Sequence, residues 1–269
     1  MEFLTILLSS LLGLISPVGL VVDRTAENAI RSQFVKAEQL QVRIDNAPTH
    51  QLLQGKVDRV RIAGRSLQLK RQDIRIAVFE LETDRIELDT RTIGKKRPKF
   101  KRPLQAALRL VLTEADVNKV LQSPEFLSRL RKLNIISVNP ANKDSNPVYR
   151  FVNPRVKFLA NQRVNLQVEI QEQGSSESVV VNLETGLNIV AGRRLQLVKP
   201  IAKVNEEEVP PRFLNAIVNN LNQRLDLRNL ETDGLLMRII KLKMKPGKLE
   251  IGTFVRIEPS SKFLETIRF

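Results

Sequence analysis

From Gln51 to Asp89 the chain repeats a period of two, with Ile74, Ile76 and Val78, then Ile86 and Leu88, set among charged and polar residues. Such alternation describes strands with one buried and one wet face. Ala63-Gly64-Arg65-Ser66 is expected to break the stretch into two extended pieces, glycine supplying a hairpin's positive φ, with Leu67 and Leu69 beginning the next strand. The same period recurs along the chain. Leu40, Val42 and Ile44 alternate with Gln41, Arg43 and Asp45, and Leu104 to Leu112 alternates again. Val164, Leu166, Val168 and Ile170 alternate with polar residues, and Val179, Val181 and Leu183 start a return strand. A closing hairpin is predicted around Pro246-Gly247; its first strand sets Ile240, Leu242 and Met244 against a ladder of Lys241, Lys243 and Lys245.

Helical spacing is rarer. Val22, Ala26, Ala29, Ile30 and Phe34 share one stripe, which predicts a helix over Leu20 to Phe34. Thr113-Glu114-Ala115-Asp116 reads as a capping box variant, and Ser123-Pro124 opens a further segment. Asn205 to Glu208 is read as an acidic lead-in to the strongest helix, whose stripe contains Phe213, Leu214, Ile217, Val218, Leu221 and Leu225. Apolar strand faces therefore exceed the helices available to cover them. The expected fold is α+β, a long, twisted, mostly antiparallel sheet curled around one or more amphipathic helices.

The predicted organisation has an uncharged hydrophobic segment within residues 1–22, either an anchor or the start of the first helix, then one domain over 23–257, then a tail at 258–269. Two strand-rich halves join near 138–148, where Asn and Pro accumulate. Ala191-Gly192-Arg193-Arg194-Leu195-Gln196-Leu197 nearly repeats Ala63 to Leu69, as a trace of similar halves or as one hairpin chemistry used twice.

A formal charge of +15 predicts attraction to anionic surfaces. Six of the eight residues from Lys95 to Arg102 are basic: Lys95, Lys96, Arg97, Lys99, Lys101 and Arg102, with Phe100 among them. Together with Lys241, Lys243 and Lys245 they are the expected contacts to an anionic membrane, Phe100 inserting. No Trp and one Tyr leave little base stacking, so no specific nucleic-acid partner is expected. The chain has no cysteine and one histidine, His50, and lacks the familiar nucleotide, nucleophile and metal motifs. No cofactor, metal or catalytic residue is expected. An aliphatic interior almost free of polar groups suits alkyl chains. The candidate lining is Leu40, Val42, Ile44, Leu67, Leu69, Ile74, Ile76 and Val78 in the first half. In the second it is Val164, Leu166, Val168 and Ile170, with Phe213, Ile217 and Leu221. A basic scaffold for acidic partners, with no lipid cavity, is the alternative.

The run AENAIRSQFVKAEQLQVRIDNAPTHQLLQGKVDRVRIAGRSL, then FELETDRIELD and LTEADVNKVL, resembles the LmeA-like phospholipid-binding family over most of residues 23 to 257. The resemblance implies a fold similar to the tubular (BPI-like) lipid-binding proteins, a phospholipid ligand, a membrane-associated location and no catalytic residues.

Overall fold

The structure, a computed structural model, describes residues 28, 30–32, 34–45, 49–70, 75–92, 99–124, 126–128, 149–172, 178–224 and 226–265. The hydrophobic segment of residues 3–22 and the 138–148 junction lie outside them, as do Ile74 and Lys95 to Arg97.

Strands dominate, and the strands predicted from alternation form. The first sheet holds β1 (Phe34–Asp45), β3 (Arg59–Leu69), β4 (Arg75–Thr83), β6 (Leu104–Thr113), β12 (Leu235–Lys245) and β13 (Lys248–Ile257). Its order is β1-β3-β4-β6-β13-β12, and every pairing is antiparallel. The last hairpin thus returns to complete the sheet that the first strands begin. A two-stranded ribbon of β2 (Lys56–Val57) and β5 (Ile86–Glu87) lies beside it. The second sheet contains β7 (Tyr149–Phe158), β8 (Arg163–Glu172), β9 (Ser178–Val190), β10 (Arg194–Val204) and β11 (Glu207–Glu208), ordered β11-β10-β9-β8-β7. Among the described residues the longer α-helices are α1 (Glu114–Leu121) and α2 (Pro211–Arg224). Both sheets are unclosed.

The first sheet buries its apolar face in one cluster that includes Leu40, Val42, Ile62, Leu67, Phe79 and Val255. The cover is thin: Ile30, Val57, Ile86, Leu88 and Phe100, with Leu230 and Leu264 packed against them. Residues beyond β13 contribute, since Glu258 N–H donates to Gly234 O and Ser261 Oγ donates to Asp233 O at 2.6 Å.

The expected break at Ala63-Gly64-Arg65-Ser66 is corrected, because β3 runs through it without turning. Gly64 instead makes room: a Cβ there would stand 2.6 Å from Leu67 Cδ1. Ser66 takes a left-handed φ of 52°, and the buried positions change phase there, from Val60 and Ile62 to Leu67 and Leu69. β4 changes phase alongside, so that Ile76 opposes Leu67 and Phe79 opposes Gly64. The near-repeat at Ala191-Gly192 is a true turn between β9 and β10, with φ of 52° and 66°. One local sequence thus serves as a kink in one place and a turn in the other.

Three further expectations are corrected. Phe34 opens β1 and is not the end of a helix. Asn205 and Glu206 form a turn with positive φ, and Glu207 and Glu208 pair with Val204 and Lys203 as β11, so the acidic run is a hairpin. Phe100 is buried and bridges Leu88, which removes it from any membrane contact.

The second sheet meets the first at the β12 edge. Gln162, at φ 59° in the β7–β8 turn, accepts from Met244 N–H at 2.6 Å and donates Nε2–H to Leu242 O at 3.3 Å. Gly192 O accepts from Ile239 N–H at 2.6 Å. The capping box forms as predicted: Asp116 N–H donates to Thr113 Oγ1, while the Asp116 carboxylate accepts from Thr113 N–H. Its α1 is tied to β7 through Asn118, which accepts from Val156 N–H and donates to Val156 O.

Leu67 is fully buried against Gly64. Leu67→Ala is expected to lower unfolding stability by about 2–5 kcal/mol in urea denaturation, with the m-value unchanged.

Candidate functional site

The apolar face of the second sheet is assembled by register. Val156, Leu166, Leu183 and Ala202 form one row across β7, β8, β9 and β10. Val168, Val181 and Val204 form a second, and Phe151, Ile170 and Val179 a third. α2 covers one side of this face, Leu214 and Val218 packing on Leu197 and Ala202. α1 covers the other side, Val117 and Leu121 lying against Val156, Phe158 and Val164. Between the helices the cover stops. Leu166 is 37% exposed and Val179 38%, with Val168, Ile170 and Val181 half-buried beside them. Among the described residues this is an aliphatic floor with two helical walls. A hollow of about 450 Å³ lies at the β7 edge, lined by Leu127, Phe151, Val152 and Pro154 together with the polar Gln122, Arg150 and Asn153. An unbranched alkyl chain laid on the floor removes apolar area from water on both partners and asks for no hydrogen bond.

The polar face of the first sheet is also shaped. Gln41, Ala63, Glu80, Arg109, Gly252 and Lys241 line up as one row, a residue from every strand. Arg43, Arg61, Glu82 and Ala107 form part of the next. These residues line one trough of about 600 Å³, and a cavity that touches all six strands makes this face concave. A second hollow of about 470 Å³ shares Gln41, Ala63 and Glu80 with it and adds Arg31, Glu38 and Arg65. Depth comes from the small residues Ala63, Ala107 and Gly252. Ile240 stands 72% exposed at the rim, thrown outward by a bulge between Ile239 and Lys241.

Ion pairs brace the trough. Asp45 accepts from Arg61 and, at 2.9 Å, from Arg43. Arg109 reaches Glu80 at 2.9 Å and Glu250 at 3.0 Å, and Lys241 reaches Glu250 at 2.8 Å. Hydrogen bonds from Lys241 and Arg109 pull the Glu250 carboxyl down to about 2. The Arg61 hydrogen bond lowers Asp45 in the same sense. Between the sheets, Arg228 pulls Asp226 down to about 2. Arg61 Nε is buried without a hydrogen-bond partner. His50 is exposed, and among the described residues no group of His, Asp or Glu could hold a metal ion.

The residues proposed from sequence as a single lining fall into two environments. Leu40, Val42, Leu67, Leu69 and Ile76 lie inside the packed cluster of the first sheet, with Ile44 against it, and Val78 is half-buried. Leu166, Val168 and Ile170 lie on the open floor of the second sheet, and Val164 packs under α1. Phe213, Ile217 and Leu221 lie on α2, but their side chains are outside the described residues. Lys99, Lys101, Arg102, Lys241, Lys243 and Lys245 are exposed. Sequence reasoning missed Val179 and Val181 as floor residues, although their alternation matched that of β8. It also missed the trough, having read polar strand positions as plain solvent face; the small residues Ala63, Ala107 and Gly252 among long charged ones were the available signal.

Comparison with known proteins gives one result. The profile of a family described as LmeA-like phospholipid-binding matches residues 14–254. No curated protein and no solved structure matches the chain.

Glu250 and Asp226 both carry folded-state values near 2, against ordinary values of 4.5 and 3.8. A carboxylate depressed by folding stabilises the protein above its unfolded value and loses that contribution as pH falls toward the folded one. Stability is therefore expected to hold above about pH 5 and to fall between about pH 4.5 and 2. Glu250→Gln removes its share, lowering stability near neutrality and flattening the acid limb, which urea denaturation across this range measures.

Proposed function

This chain belongs to the LmeA-like phospholipid-binding family, and from that membership we propose that it holds phospholipid acyl chains on the half-open face of its second sheet, without turning them over. The observation that carries the reading is the floor between α1 and α2, where Leu166 is exposed in the middle of a row whose ends, Val156 and Ala202, are buried, and Val179 is exposed at the end of the row it shares with Phe151 and Ile170. Water there gains nothing from the surface, whereas each CH₂ placed on it is worth about 0.8 kcal/mol. A chain lying against a sheet beside a helix is the arrangement that a tubular lipid-binding relationship implies. The packed first sheet serves in this reading as the rigid half on which the second is built.

Binding to a bilayer is the second part of the proposal. Lys99, Lys101, Arg102, Lys243 and Lys245 are exposed cations, and each near an anionic surface contributes about 1 kcal/mol. Lys95, Lys96 and Arg97 extend the same basic run in the sequence. Lys241 and Arg102 contribute less, because Glu250 and Glu87 already engage them. Among the described residues no helix is long and apolar enough to cross a membrane.

Solvent extraction of the purified protein followed by mass spectrometry is expected to recover phospholipid. Leu166→Glu and Val168→Glu, on an already open face, should cut the recovered lipid at least about tenfold while the thermal transition is retained. A wild-type protein that carries no lipid and ignores vesicles, or variants that carry as much as wild type, would overturn the reading. For docking, Lys243→Gln with Lys245→Gln should weaken binding to phosphatidylcholine vesicles containing phosphatidylglycerol about tenfold, and the difference should fade in high salt.

A further inference from the structure

We propose that Ile240, set among the lysines of the closing hairpin, is the side chain this protein inserts into an anionic bilayer. The inference rests on the bilayer binding proposed for this protein and names the apolar anchor that the buried Phe100 cannot be. Among the described residues five large hydrophobic side chains are exposed, and two of them, Leu166 and Val179, belong to the aliphatic floor. The other three, Val35, Ile201 and Ile240, all stand at register shifts, where a bulge re-aims a side chain. Ile240 is the most exposed of the five, at 72%.

Charge separates the three. Val35 and Lys36 have Glu38 beside them in β1, and Ile201 stands directly opposite Glu184. Ile240 lines the polar-face trough together with Lys241, and the period of two puts Lys243 and Lys245 on the same side of β12 as Lys241. Lys248 lies directly opposite Lys245 across the Pro246-Gly247 turn, a like-charge pair that is unfavourable until an anion answers it. Lys243, Lys245 and Lys248 are exposed and form no ion pair among the described residues. Glu250, opposite Lys243, is already held by Arg109 and Lys241. Edge lysines by themselves guard a strand against pairing with another chain, but an exposed isoleucine works against that guard. A lipid interface accounts for both: headgroup phosphates answer the ammonium groups, and the acyl boundary takes the isoleucine out of water.

The chain has no tryptophan, so Ile240→Trp installs a sole indole whose emission reports its surroundings. On vesicles of phosphatidylcholine containing phosphatidylglycerol, that emission is expected to shift to the blue and to be quenched by brominated acyl chains. Val35→Trp and Ile201→Trp are expected to keep the emission of an indole in water. Ile240→Ser should weaken vesicle binding about tenfold with the thermal transition unchanged, and the ratio should persist in high salt, where the lysine contribution fades. Full binding by Ile240→Ser, an indole at position 240 that stays in water, or equal quenching at all three positions overturns the anchor and leaves bilayer binding in place. Wild-type protein that ignores the vesicles removes both. A changed oligomeric state in Ile240→Ser with vesicle binding intact assigns the isoleucine to a second copy of this chain, which also overturns the anchor. Lipid recovered by extraction from the same preparations reads the acyl-chain proposal separately.

Discussion

Cover for strand faces is the scarce resource in this chain, and both halves are shaped by how it is distributed. An antiparallel sheet tolerates water on one face only if the other is buried. In the first sheet that burial is achieved with single residues from short segments, Ile30, Val57, Ile86, Leu88 and Phe100, fitted over a dense aliphatic layer. In the second sheet the cover among the described residues is two helices placed at opposite sides, with Leu166 and Val179 exposed on the sheet face.

The junction between the sheets combines backbone groups at the β12 edge, answered by the Gln162 side chain and the Gly192 carbonyl, with an apolar contact in which Met244 and Leu249 pack with Val156, Phe158 and Val164. Asn118 does comparable duty between α1 and β7, satisfying both backbone groups of Val156. Buried edges need such partners, because an unpaired amide away from water costs about 1–3 kcal/mol. Gln162 makes these bonds from a turn in which it takes a left-handed φ.

Much of the architecture was legible in the sequence, since a period of two survives any tertiary context that keeps one face dry. β1, β6, β8 and β13 follow from it, and the capping box at Thr113 from its own Thr-x-x-Asp spacing. What the sequence hid was the meaning of glycine. Gly64 and Gly192 occupy nearly identical heptapeptides, yet one sits in mid-strand against Leu67 and the other turns the chain, because the deciding contacts come from distant residues. Burial was hidden for the same reason. Leu40 and Leu166 look alike in their local alternation, and only the number of segments folded over each separates a packed core from an open floor. Phe100 shows the converse: a basic neighbourhood marked it for a membrane, but pairing with Leu88 drew it inward.

The open aliphatic floor also bears on how copies of this protein behave toward one another. Two such faces in solution would gain by meeting, and contiguous apolar surface of this kind is a route to aggregation. The surplus of fifteen positive charges works against that encounter, since like-charged copies repel before their faces touch. Occupation of the floor would remove the attraction and leave the repulsion, so the filled protein is the better colloid. Solubility would then rise with loading, and an emptied molecule would carry its own pressure to be filled or cleared.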